Sequence, residues 1–148
     1  SDWPSIDNSV AEWNIWVDPL AASEVFQSGL PIHVSPLDAT DQVLWTQTDA
    51  LAWADAAMPE GQRAADLLDW MLRSWSPNGV YIWDLVAAIN TSDSRLCPEV
   101  PLSLEIVTIP GPTQGQMVPD NNQPDNASVC LKPNAALIRA RAADTLTH

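Results

Sequence analysis

Basic charge is what this chain has least of. Six Lys and Arg stand against nineteen Asp and Glu, for a net charge of −13, and Lys132 is the sole lysine. Nucleic acids and anionic membranes are gripped by clusters of Lys and Arg, so both are excluded as partners. No apolar run approaches the roughly 18 residues that a membrane-spanning helix needs. Histidine is limited to His33 and His148, and cysteine to Cys97 and Cys130. Without a Cys-x-x-Cys pair or a Cys/His spacing, a zinc site is excluded too. The opening Ser1-Asp2-Trp3-Pro4 has neither the basic stretch nor the apolar core of a signal peptide, and a processed chain would look the same. The acids are scattered rather than blocked, which suits a solvated surface in salty or extracellular water.

What is present describes one domain-sized body over residues 1–148, with 46% hydrophobic residues and enough length for a core. Ser1 to Asn8 reads as a polar loop, and Glu12 to Val17, rich in Trp, Ile and Val, as an extended segment. Asp18-Pro19 is a helix start, with Asp as N-cap and Pro in the first helical position. The helix from Pro19 to Ser28 carries Ala22, Val25 and Phe26 on one stripe and stops at Gly29. A short strand, Ile32-His33-Val34, follows and ends at Pro36-Leu37-Asp38-Ala39-Thr40, where Asp38 and Thr40 take turn and capping roles. Helix, tight turn and short apolar strand make the repeating unit of an open, mostly parallel α/β sheet.

Gln47 to Ala57 reads as helix, broken by Met58-Pro59. Glu60 to Trp75 has a helical stripe of Ala64, Leu67, Leu68, Met71, Leu72 and Trp75, closed by the turn Ser76-Pro77-Asn78-Gly79. Val80 to Ile89, apolar apart from Asp84, reads as a further helix. Leu102, Leu104 and Ile106 alternate with polar residues as in a half-buried strand. The Pro- and Gly-rich stretch from Pro110 to Pro124 is loop, Ser128 to Leu131 a strand and Ala135 to Leu146 a closing helix. The proline-rich middle separates an α/β part from a small β-hairpin part. Cys97 and Cys130 fall in or beside strands, and a disulfide is preferred to two free buried thiols. Asn90-Thr91-Ser92 and Asn126-Ala127-Ser128 fit the glycosylation sequon, a pattern short enough to arise by chance.

Two segments carry chemistry. In Ala11-Glu12-Trp13-Asn14-Ile15-Trp16-Val17-Asp18-Pro19, an extended backbone puts Glu12 and Asn14 on one side, a polar edge suited to hydroxyl groups. In Tyr81-Ile82-Trp83-Asp84-Leu85-Val86, a lone carboxylate enters an apolar helix start. Burying it would require a metal or hydrogen-bond donors. In order and spacing these segments resemble the inosine-uridine-preferring nucleoside hydrolases, which cleave the N-glycosidic bond of ribonucleosides. The resemblance covers nearly the whole chain but only the C-terminal half of that family.

The resemblance implies a nucleoside-hydrolase-like α/β sheet with flanking helices. It assigns Glu12 and Asn14 to ribose hydroxyls, against the plain reading of an exposed strand edge. It assigns Asp84 to a calcium ion, against a helix-start carboxylate satisfied by backbone N–H groups. Trp83 stands where many family members have a base-protonating His. Indole has no acidic proton to give, but it can stack on a flat purine, as in the purine-preferring branch. The plain reading is that Trp83 is core. Thr113-Gln114-Gly115-Gln116 departs from the family's Thr-Arg-Gly by losing a positive charge; if that Arg braces the fold by an ion pair, another contact must do so here.

The family's Asp-x-Asp-x-x-x-Asp-Asp cluster, with most calcium ligands and the general base, is not found in these residues. No catalytic group is therefore assigned within the chain. The expectation is a calcium-dependent purine ribonucleosidase completed by a separate N-terminal chain, oligomeric, and extracellular or periplasmic (cytoplasmic if the cysteines are free). Two alternatives stay open: a hydrolase-derived structural or self-assembling extracellular protein without catalysis, and a carbohydrate-binding module using its tryptophans.

Overall fold

The computed structural model describes residues 10–147, so the loop expected over Ser1 to Asn8 lies outside it. The chain is mixed α/β, and its described residues form two compact units, 10–36 with Glu99–Val129 and Leu37–Pro98 with 130–147.

The first unit opens with two helices, α1 (Trp13–Val17) and α2 (Pro19–Phe26). The extended segment expected over Glu12 to Val17 is thus a helix, closed by the Trp16 N–H donating to the Glu12 carbonyl at 2.8 Å. Packing outweighs the strand propensity of these residues: Trp13 and Trp16, three apart, lie against each other with ring centroids at 5.6 Å and planes tilted by 36°, and Ile15 packs with the core around Phe26. Pro19 excludes helix at Asp18, which sits at φ −146°, ψ 83°, so α1 ends there. The Asp18 carboxylate accepts from the Ala21 N–H at 2.9 Å as the expected N-cap, and Gly29 beyond α2 takes φ +74°.

Strands β1 (His33–Val34), β4 (Glu99–Leu102) and β7 (Ala127–Cys130) form one sheet in the order β1-β7-β4, with β1 and β7 parallel and His33 opposite Ser128. The expected strand through Leu102 and Ile106 is divided. Ser103 is buried between β4 and β5 (Leu104–Ile106), and β5 pairs antiparallel with β6 (Met117–Pro119). That hairpin lies partly within the stretch expected to be all loop. Asn126 locks the division: its Oδ1 accepts from the Leu104 N–H at 2.8 Å, and its Nδ2 donates to the Leu104 and Phe26 carbonyls at 2.9 and 3.2 Å. Phe26, Leu104, Ile106, Ala127 and Val129 form the core of this unit.

The second unit is mainly helical: α3 (Leu37–Thr40), α4 (Gln47–Ala54), α5 (Pro59–Ser74), α6 (Trp83–Ser92) and α7 (Ala135–Thr147). Val80 to Ile89 is not one helix. Val80 and Tyr81 form β3, antiparallel to β2 (Leu44–Trp45), and α6 begins at Trp83. The stripe on α5 sends Leu68, Met71 and Leu72 into a core with Trp45, Trp53, Val86 and Ile138, while Leu67 and Trp75 stay exposed. Asp49, buried in α4, accepts from the Thr46 N–H at 2.8 Å and from Arg139 Nε at 3.0 Å, tying α7 to α4. Cys97 and Cys130 are joined in a disulfide, fully buried against Ala39.

Candidate functional site

Trp83 and Asp84 occupy the first turn of α6, where the positive end of the helix dipole favours a carboxylate. The helix holds them because its next turns are anchored: Val86, Ile89 and Asn90 are buried in the core. Trp83 is not a core residue. It is 47% exposed, stacked on Tyr81 with centroids at 6.3 Å and planes 21° apart. Its Nε1–H donates to Asp41 Oδ1 at 2.7 Å. Nothing in the sequence marked Asp41, which lies 42 residues away and gains its role only when α3 and α6 are side by side.

Asp84 is exposed rather than buried. The cost of burial therefore gives no reason for a metal at this position, and the case for one rests on the motif. Among the described residues no three of His, Cys, Asp and Glu gather where they could hold an ion. Calcium requires six to eight oxygens, so one Asp84 carboxylate does not make a site. The described residues do not fit a complete metal centre.

Glu12 and Asn14 belong to the first unit. Glu12 is the N-cap residue of α1, with φ −77° and ψ 143°, and Asn14 is exposed on the helix itself. The helix removes the two-residue alternation that would have put both side chains on one strand edge. The segment is instead held by a loop. Gly115 has φ +82°, and a Cβ there would lie 2.9 Å from the Trp16 Cα and 3.2 Å from the Ala11 Cβ. Its N–H donates to the Val107 carbonyl at 2.8 Å. In Thr113-Gln114-Gly115-Gln116 the brace for α1 is thus a close backbone approach, needing no positive charge.

Asp38 lies exposed in the first turn of α3 and Thr40 is buried at its end, consistent with turn roles. Both sequon asparagines are structural. Asn90 is 4% exposed, and Asn126 spends its amide on the Leu104 and Phe26 carbonyls, so neither offers a free nitrogen for a glycan.

Comparison with known proteins gives one family. The inosine-uridine preferring nucleoside hydrolase family matches residues 5–140. The pyrimidine-specific ribonucleoside hydrolase RihA of Enterobacter sp. (strain 638) is 37% identical over 79 residues, covering 50% of this chain and 25% of that protein. Among solved structures, the purine-preferring ribonucleoside hydrolase from Gardnerella vaginalis superposes with a TM-score of 0.78 at 25% identity, covering 93% of this chain and 46% of that one. The inosine-uridine preferring nucleoside hydrolase from Bacillus anthracis superposes at 0.73 and 23% identity, over 99% of this chain and 46% of its own. The chain spans about half the length of these solved relatives. With a family match over most of its length and an α/β fold to agree with it, the chain belongs to the inosine-uridine preferring nucleoside hydrolases.

Proposed function

We propose that this chain supplies the base-binding part of a purine-preferring ribonucleoside hydrolase. The observation that carries the reading is Trp83, half in solvent at the start of α6 with its ring fixed by Asp41 and Tyr81. A two-ring indole offers its largest stacking area to a two-ring base, which favours inosine or guanosine over uridine or cytidine. The relatives' names point both ways, since the Gardnerella protein is purine-preferring and the Enterobacter one pyrimidine-specific. The exposed aromatic face is what supports the purine reading here.

In the same reading Asp84 contributes one oxygen to a calcium ion, and Glu12 and Asn14 bind sugar hydroxyls; both roles rest on the motifs. The remaining metal ligands and the general base come from residues outside 1–148, with a separate N-terminal chain as the proposed source, in an oligomer. The buried Cys97–Cys130 disulfide favours an extracellular or periplasmic setting.

The test is release of free base from inosine, guanosine, uridine and cytidine by the natively purified protein, with calcium and after chelation. Purine release that stops on chelation and returns with calcium is expected. Trp83→Ala should raise KM for inosine by about tenfold, the order of one lost aromatic stack. Native mass spectrometry of the same sample reads the proposed partner directly. Ordered self-assembly without turnover would replace this reading by the structural one.

A further inference from the structure

Beyond Trp83 itself, we infer that Asp41 is the positioning residue that fixes the Trp83 indole and leaves its face as the ring's means of recognition. The inference rests on Trp83 being a base-stacking residue, as proposed above. An exposed tryptophan turns about two side-chain bonds and has one polar atom, the Nε1–H donor. Here that donor is committed to a carboxylate oxygen at 2.7 Å, a charge-assisted bond.

Asp41 is itself held. Its N–H closes α3 on the Leu37 carbonyl at 2.9 Å. The next side chain, Gln42, donates to the Asp38 and Leu131 carbonyls at 2.6 and 3.0 Å, pinning the corner to the segment after β7. Tyr81 lies against the same indole and is set in turn by pairing with Leu44. Corner, strand and helix start therefore converge on one ring. Because Nε1–H is occupied, Trp83 has no donor for a base nitrogen, a base carbonyl or a sugar hydroxyl. It selects by the area and flatness of what lies on it, and is indifferent to the substituents at the base's edge.

The experiment uses the natively purified protein with 15N-labelled tryptophan, comparing wild type with Asp41→Ala and Asp41→Asn and assigning the indole signal with Trp83→Phe. In Asp41→Ala the Trp83 indole N–H resonance should shift and exchange faster with water, and KM for inosine should rise about fivefold with kcat within about twofold, the scale of one solvent-exposed hydrogen bond. Asp41→Asn keeps an acceptor oxygen and should restore most of both. The KM values for inosine and guanosine should lie close together in wild type and move apart in Asp41→Ala, where the freed donor can tell their edges apart. An indole signal unmoved in Asp41→Ala overturns the tether. A moved signal with wild-type KM overturns the positioning role. A wild-type protein that releases no base sinks the functional reading instead, while the indole signal still decides the tether.

Discussion

The two units hold their candidate residues in opposite ways. In the second, Trp83 and Asp84 begin a ten-residue helix whose following turns are embedded in a core of Trp45, Trp53, Leu68, Leu72 and Ile138. In the first, Glu12 and Asn14 sit on and before a five-residue helix that buries none of its residues. A helix that short is marginal alone, so its position depends on neighbours: the Asp18 cap on one side and the backbone of Gly115 on the other. One set of side chains inherits the rigidity of a core. The other relies on a contact in which the absence of a single methyl group is essential.

The largest expected effect falls on the core-anchored side. Leu68 is fully buried, and Leu68→Ala should destabilise the protein by about 3–5 kcal/mol in denaturant unfolding. A loss below about 1 kcal/mol would mean that α6 is not held by this core. Gly115→Ala tests the other side. It forces an alanine into φ +82° and sets a methyl group against Trp16, at a cost of about 1–3 kcal/mol. Its distinctive consequence should be functional: displacement of α1 should narrow the discrimination between inosine and 2′-deoxyinosine while the Trp83 indole signal stays in place. Unchanged discrimination would separate Glu12 and Asn14 from hydroxyl recognition.

The smallest effect concerns Asp93, which follows α6. The Arg95 side chain bonds both of its oxygens at 2.8 Å and lowers its pKa from 3.8 to about 2. A carboxylate whose folded pKa is depressed adds stability that is fully present above its unfolded value near 3.8 and is lost as pH falls through about 2. Arg95 is open to water and Asp93 is partly so, so the contribution is slight. Asp93→Asn should lower Tm marginally at pH 6, and that gap should close on acidification. A gap that widened on acidification would contradict the sign.

Legibility followed the range of the interactions. Helices α2, α5 and α7 could be read because their signals are local: Asp18-Pro19 and Gly29 as punctuation, and an apolar stripe that survives averaging over several turns. The α1 helix could not, because Trp, Ile and Val favour strands and what overrides them is distant in sequence: Ile15 packs with Leu104 and Ile106, and the Gly115 backbone closes on Trp16. The start of α6 was misplaced for a similar reason, since β3 exists only through its partner β2. The motif singles out Trp83 and Asp84 as candidates but says nothing of their exposure. Composition gives no sign that a tryptophan in an apolar run faces solvent, nor that Asp41 will reach it.

The disulfide has one more consequence. Cys97, with only Pro98 between it and Glu99, and Cys130, directly after Val129, bracket Glu99–Val129, the stretch that leaves the second unit and contributes to the first. Residues 98–129 are therefore a closed covalent loop as well as a folded segment. A protease that cuts within it, at the proline- and glycine-rich turn between Pro110 and Gly115 for example, would leave the two fragments joined. The nicked chain would run as a single band on a gel without reductant and as two with it, and its intact mass would rise by one water without any loss of material.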